Sequence, residues 1–243
     1  VSACNFAAGV FTNLTQDHLD YHGDMVSYCQ SKETLFRMLT PERDNRYGVI
    51  NLDDAYAERF CQACRARQWI YGMREGADLQ LLHLNATISG MRFSFKFQDK
   101  VYTAQIPLIG KFNVYNALAA ICVALAEGLA ISDILSWLPQ APQVAGRFER
   151  VDEGQDFAVV VDYAHTPDGL ENVLHAARAL KPRRVICVFG CGGDRDSRKR
   201  PLMGRIAGQY AEVAAMTSDN PRKEAPKARL EMGEEGRRSV GKN

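Results

Sequence analysis

Short apolar runs alternate with longer mixed stretches along most of this chain, and the spacing within each predicts a succession of strands and helices. Residues 8–13 read as the end of a buried strand running into a polar loop, Leu14 to Asp24. Met25–Leu39 is a helical candidate. Tyr47–Asn51 is a short strand, Asp53–Arg67 a helix, and Trp69–Gly72 strand-like. Met91 to Phe97 alternates apolar and polar with period two, as a half-buried strand does. Val101–Leu108 would pair with it across Gln98-Asp99-Lys100. Gly110-Lys-Phe-Asn113 introduces a long apolar helix, Val114–Glu127, and Ile131–Trp137 is another short helix. Leu138 to Gly146 holds two prolines and a glycine without a strong period, the composition of an interdomain linker. The pattern then resets: strand Phe157–Val161, helix Pro167–Leu180, strand Arg184–Phe189, helix Arg200–Tyr210, strand Val213–Met216. Such alternation implies right-handed crossovers and a parallel sheet. The residues from Lys223 onward are charged and only weakly periodic.

A length of 243 residues accommodates two ordinary domains, and the linker places them at 1–143 and 144–243. A net charge of +1 gives no bulk argument for nucleic acid or membrane, and no apolar run approaches membrane-spanning length. The start, Val-Ser-Ala-Cys-Asn-Phe, lacks the charged and apolar regions of a signal peptide and reads as the inside of a strand, so an internal fragment is expected. Seven scattered cysteines suit a reducing, cytoplasmic setting. Cys61 and Cys64 form a C-x-x-C with no second pair at zinc-finger spacing, consistent with two small residues on a helix face.

Several polar clusters fall where elements end. The loop from Asn13 to Gly23 is dense in ligands: His18, with Asp17 and Asp20 nearby, could bind a divalent metal or position phosphates. Helix capping by Asp17 or Asp20 is the plainer alternative. Lys32, among Ser31, Glu33 and Thr34, reads on its own as a solvated helix lysine. Asn113 and Asn116, three apart, can face one side of a first helical turn, where their amides offer the donor and acceptor that an adenine edge requires. N-capping by Asn113 is the alternative. Arg147 follows Gly146 directly after the linker, as a surface charge or a nucleotide contact. Asp162-Tyr163-Ala-His165-Thr166-Pro167 ends a strand and starts a helix with a capping residue and a proline at the first helical position. In open α/β sheets, strand carboxyl ends are where ligands bind. Gly190-Cys-Gly192-Gly193 ends the next strand and allows close backbone approach to an anion, but its spacing departs from the dinucleotide fingerprint. Asp219-Asn220-Pro221-Arg222 follows the last strand as a stiff turn. It presents an acid for an ammonium and a guanidinium for a carboxylate, which suits an amino acid; a surface turn with a solvated arginine is the alternative.

Taken in order, these motifs resemble the Mur ligases of peptidoglycan synthesis. The resemblance rests on T-N-L-x-x-D-H-L-D-Y-H-G at Thr12–Gly23, Lys32, G-K-F-N-x-x-N at Gly110–Asn116 and G-R-F-E at Gly146–Glu149. D-Y-A-H-T-P-D at Asp162–Asp168, G-C-G-G-D-R-D at Gly190–Asp196 and D-N-P-R at Asp219–Arg222 complete it. It implies part of a central P-loop-type ATPase-like domain followed by a partial Rossmann-like domain with a parallel sheet, an α/β protein throughout. It also implies ATP and Mg²⁺ as cofactors. His18 and Lys32 would hold the metal, the lysine as a carbamate, with His165 beside the reaction. Asn113, Asn116, Arg147, Asp162, Tyr163 and His165 would line the nucleotide, and Arg195, Asp219, Asn220 and Arg222 the incoming amino acid. Lys32 is thereby moved from a solvated lysine to a ligand.

Within the family the pattern is most similar to members that add meso-diaminopimelate to UDP-MurNAc-L-Ala-D-Glu through an acyl phosphate, which implies a monomer acting on small molecules, with no nucleic-acid or membrane partner. Arg222 is the residue expected to choose the substrate. The side chain of diaminopimelate ends in a carboxylate-bearing head, whereas that of lysine ends in a bare ammonium. An ammonium roughly 4 Å from a guanidinium costs up to about 4 kcal/mol at an effective dielectric near 20. The family's P-loop and UDP-sugar domain are expected before this chain's start, and the motif match weakens after about Ala225, so the fragment alone is expected to be inactive. A lysine-adding or folylpolyglutamate synthase-like ligase, or a non-catalytic nucleotide-binding module, are the alternatives.

Overall fold

The computed structural model describes residues 4–15, 19–41, 45–87, 89–192, 197–219 and 226–240. The chain is α/β and divides into two compact units, Val1–Pro142 and Gln143–Asn243.

The first unit is built on a six-stranded sheet in sequence order. Strands β1 (Ala8–Phe11), β2 (Tyr47–Asn51), β3 (Arg67–Gly72) and β4 (Leu79–Thr87) pair in parallel, and β5 (Gly90–Phe97) and β6 (Lys100–Ile106) add an antiparallel hairpin. Strand β2 is buried at every position, which explains why it is apolar up to its terminal Asn51: helices cover a parallel sheet on both faces. Val49 packs with Trp69, Tyr71, Phe93 and Phe95 beneath α4 (Lys111–Ala126). Its neighbour Ile50 points the other way, toward Phe11, Phe36 and Phe60 under α2 (Met25–Arg37) and α3 (Ala57–Ala63). Phe11 stacks on Phe60 with ring centroids 3.7 Å apart.

The β5–β6 turn confirms the expected hairpin, with Gln98 and Asp99 both at positive φ, as a two-residue reverse turn requires. A short helix, α1 (Leu19–His22), lies in the segment expected to be a loop, and Asp24 rather than an earlier aspartate caps α2 by accepting from Ser27 N–H at 2.7 Å. Helix α3 is much shorter than the expected Asp53–Arg67, because Asp53 and Asp54 bend the chain to bond other backbone amides. Cys64 accordingly leaves the helix and is buried beyond its end. Helix α5 (Ile131–Trp137) closes the unit.

One buried carboxylate ties α2 to α3. Glu33 is 2% exposed and meets Arg59 Nε at 2.6 Å and Arg37 Nη2 at 2.7 Å, while Cys29 Sγ donates to it at 3.4 Å. Lys32, next in sequence, faces solvent.

In the second unit β7 (Glu149–Val151) and β8 (Val159–Val161) form an antiparallel ribbon, and β9 (Ile186–Cys191) pairs in parallel with β10 (Val213–Ser218). A parallel sheet through all three expected strands is therefore corrected. The chain before β8 folds back as β7 and takes up its edge, and among the described residues β8 has no ladder to β9. Helices α6 (Pro167–Ala179) and α7 (Lys199–Tyr210) bury Leu170, Leu174, Met203 and Ala207 against Cys187, Phe189 and Cys191. The charged tail forms α8 (Pro226–Arg238). It packs on α7 through glycines: a Cβ at Gly204 would collide with the carbonyl of Gly233, and one at Gly236 with that of Pro201. Backbone contact of this kind leaves no apolar stripe, so the helix was not legible as a period.

Two outcomes follow for stability. Arg59→Met, which strips a partner from a buried carboxylate, should cost about 3 kcal/mol, and Glu33→Gln, which removes the buried charge itself, about 1–2 kcal/mol, in urea unfolding. The Tyr47 phenol is pushed up to about 12 by burial and by its 2.7 Å hydrogen bond to Glu127. A raised phenol stabilises fully below its ordinary value of 10 and progressively less as pH climbs toward 12, so Tyr47→Phe should lose less stability than the parent over that interval.

Candidate functional site

Parallel strands leave their last backbone groups without ladder partners, and in the first unit one turn supplies them. From the last residue of β2 the chain runs Asn51-Leu52-Asp53-Asp54. Asn51 donates its side-chain amide to the Thr12 carbonyl at 2.7 Å, and Asp54 accepts from Leu14 N–H at 2.9 Å, so the turn holds the loop leaving β1. Asp53 accepts from Met73 N–H at 2.6 Å and Arg74 N–H at 3.1 Å, holding the chain leaving β3, and from the Tyr115 hydroxyl of α4 at 2.5 Å. The Tyr71 hydroxyl reaches the Phe11 carbonyl at 3.5 Å from beneath. Burial pushes the Tyr71 and Tyr115 phenols up, with the Asp53 hydrogen bond adding to the effect at Tyr115.

Helix α4 begins at Gly110, at φ 108, with no side-chain cap, so Asn113 is not its N-cap. Asn113 is buried; its amide nitrogen donates to the Ile109 carbonyl at 2.8 Å and its oxygen accepts from Asn116 at 3.4 Å. Asn116 is exposed and oriented by Asn113. On α2 the Lys32 Nζ lies 5.0 Å from the Tyr28 ring centroid, and Tyr28 stacks on His22, 4.8 Å away. His18 lies outside the described residues. No group of three His, Cys, Asp or Glu side chains able to hold a metal occurs among the described residues. As an ammonium Lys32 is no ligand; as a carbamate it presents two hard oxygens of the kind Mg²⁺ accepts, and with His18 it makes a chemically fitting, partial donor set.

In the second unit the G-R-F-E turn is locked to the end of β8. Glu149 accepts from Gly146 N–H at 2.7 Å, and Asp162 accepts from Phe148 N–H and Ala164 N–H, each at 2.7 Å. Phe148 sits at φ 50 and is buried, a conformation this double anchoring sustains. Asp162 thus serves the backbone. The side chains left facing outward form a cluster: the Arg147 guanidinium lies 5.2 Å from the Tyr163 ring centroid, and Tyr163, 64% exposed, meets the His165 ring at 5.0 Å. Thr166 caps α6 by accepting from Gly169 N–H at 3.1 Å, with Pro167 in the first turn. A cation stacked on an aromatic face beside an imidazole is a surface suited to a purine and its phosphates.

The carboxyl ends of β9 and β10 lie side by side. Asp219 presses on Gly190, where a Cβ would stand 2.9 Å from the Asp219 Cβ, and Arg200, 3% exposed on α7, reaches the Gly192 carbonyl at 3.5 Å. Arg195, Asn220 and Arg222 lie outside the described residues. The sequence reading passed over Asn51, Asp53, Asp54, Tyr115 and Arg200. The first three carried a usable signal, an Asn-x-Asp-Asp closing an otherwise apolar strand, which is a side-chain-to-backbone turn signature at a ligand-binding end of the sheet.

Comparison with known proteins agrees with this layout. The family described as "Mur ligase middle domain" matches residues 1–124, and "Mur ligase, glutamate ligase domain" matches residues 146–240, so the likeness continues past Ala225. The UDP-N-acetylmuramoyl-L-alanyl-D-glutamate–2,6-diaminopimelate ligase of Syntrophomonas wolfei is 50% identical over 94% of this chain and 46% of its own length. A solved structure of a ligase of that same name is 34% identical, with a TM-score of 0.64 over 96% of this chain and 48% of its own. MurF from Acinetobacter baumannii shares the fold, with a TM-score of 0.78 at 20% identity over 96% of this chain and 49% of its own. The chain spans about half the length of the curated relatives it matches.

Because two backbone amides depend on one carboxylate, Asp162→Ala should cost about 1–3 kcal/mol, and Asp162→Asn less. Hydrogen exchange would locate the loss at the Phe148 and Ala164 amides, with the amides of β9 unaffected.

Proposed function

The chain belongs to the Mur ligase family, and from that premise we propose that it carries the metal-side and amino-acid-side parts of an ATP-dependent amide ligase. This ligase adds meso-diaminopimelate to UDP-MurNAc-L-Ala-D-Glu in peptidoglycan synthesis. The observation that carries the reading is the 50% identity, over nearly the whole chain, to a relative bearing that name, together with the unbroken order of its motifs.

In this reading ATP phosphorylates the D-glutamyl carboxylate, the amine of diaminopimelate attacks the acyl phosphate, and phosphate leaves a tetrahedral intermediate. The work is mainly positioning and electrostatic. Asn116, turned by Asn113, reads the adenine edge. Arg147 and Tyr163 offer a stacked cation and ring to the nucleotide, with His165 beside them. His18 and Lys32, as a carbamate, would hold Mg²⁺, which when bound would neutralise phosphoryl charge. Asp219 and Asn220 hold the ammonium of the incoming amino acid, and Arg195 and Arg222 its carboxylates. No described helix is long and apolar enough to cross a membrane. In this reading the ligase works in the cytoplasm, as a monomer, on soluble nucleotide substrates.

Phosphate release by the complete ligase tests the assignment. Diaminopimelate should be used at least about 100-fold more efficiently than lysine, a ratio within the roughly 4 kcal/mol available from the guanidinium. Arg222→Ala should erase most of that preference by raising KM for diaminopimelate. Equal use of lysine by the parent enzyme, or an unchanged ratio in the variant, would sink the assignment.

A further inference from the structure

Asp53 and Tyr115 stand 62 positions apart, yet their side chains meet in a 2.5 Å hydrogen bond. Hydroxyl-to-carboxylate bonds this short belong to the stronger, charge-assisted class. The carboxylate is itself immobile. It accepts from the Met73 and Arg74 amides, and its atoms lie 2.9–3.0 Å from where a Cβ on Gly72 would stand, so it is pressed flat on the backbone leaving β3. The turn that carries it is pinned to the loop after β1 through Asn51 and Asp54. Asp53 is thus a fixed reference point at the carboxyl edge of the sheet.

Tyr115 is the fifth residue of α4, between Asn113 and Asn116 in sequence. The start of the helix has no side-chain cap. Asn113 bonds back to Ile109 and forward to Asn116, and the buried Val114 and Leu118 seat the helix on the sheet. The phenol adds a polar tether beside Asn116: its ring meets Tyr71 at 6.3 Å, and its hydroxyl ends on Asp53. Successive helical residues are about 100° apart, so fixing Tyr115 fixes the direction in which Asn116 projects.

We infer that Asp53 is a positioning residue for the nucleotide, acting through Tyr115 to aim Asn116; this rests on the reading of Asn116 as an adenine contact. The hydroxyl can be removed without dismantling the turn, because Asp53 keeps both backbone partners and a phenylalanine ring keeps the contact with Tyr71.

The experiment is a double-mutant cycle in the complete ligase, with parent, Tyr115→Phe, Asn116→Ala and the double variant compared for ATP affinity by calorimetry, steady-state constants and melting temperature. Tyr115→Phe should weaken ATP binding about 5–10-fold, leaving KM for the amino acid within twofold and the melting temperature within about 2 °C. In the Asn116→Ala background the same substitution should add nothing, since its effect runs through that amide. Asp53→Asn, which keeps an acceptor but disturbs a backbone bond, should weaken ATP binding in the same direction. Unchanged ATP affinity in Tyr115→Phe, additive effects in the cycle, or a loss spread equally over all substrates and stability would each overturn the positioning role. A parent enzyme that binds no adenine nucleotide would overturn the nucleotide reading itself, and the aim of Asn116 with it.

Discussion

The architecture of the first unit depends on how the carboxyl ends of its parallel strands are terminated. The last amides and carbonyls of parallel strands have no ladder partners and need others, from side chains or water. The turn Asn51–Asp54 meets this need with three side chains, bonding Thr12 and Leu14 on one side and Met73 and Arg74 on the other. Every element of the candidate site in that unit hangs from strands finished this way. The loop toward His18 leaves from the first anchor point, and α4 is fixed to the second through Tyr115.

The second unit repeats the device with different residues. Asp162, at the end of β8, bonds the Phe148 and Ala164 amides, and Glu149 bonds that of Gly146. In both units an acid at a strand's carboxyl end is consumed in shaping backbone, and polar groups near it face outward: Asn116 in one, Arg147, Tyr163 and His165 in the other. The division has a physical basis. A carboxylate accepting two or three N–H bonds is a strong and rigid anchor, whereas amides, rings and guanidinium groups can remain exposed at little cost and still recognise a flat, charged ligand.

Most regular elements were legible because each carries its own period. Strand β2 is apolar up to its terminal Asn51, β5 alternates, and α4 and α6 begin and end close to where their sequences predict. The failures share a cause. Helix α8 packs by glycine contact and so shows no apolar stripe; β7 is three residues long and exists only as the partner of β8; α3 starts late because Asp53 and Asp54 bond amides of other segments. Cys64 looked like a helix-face residue for the same reason.

What the sequence determined by itself was the set of elements with an internal period and an ordered series of motifs specific enough to give the family. Lys32 marks the limit of that reading: nothing in its neighbours distinguishes it from a solvated lysine, and the resemblance alone gives it a role. The tertiary structure decided which polar atoms are spent on the fold and which are left for a ligand. That Asp53 reaches Tyr115 across 62 positions, and that Asp162 serves the backbone of Phe148 fourteen positions away, depend on distances between separate segments. Local periodicity cannot encode such distances, because they are set only when the sheet brings its strand ends together.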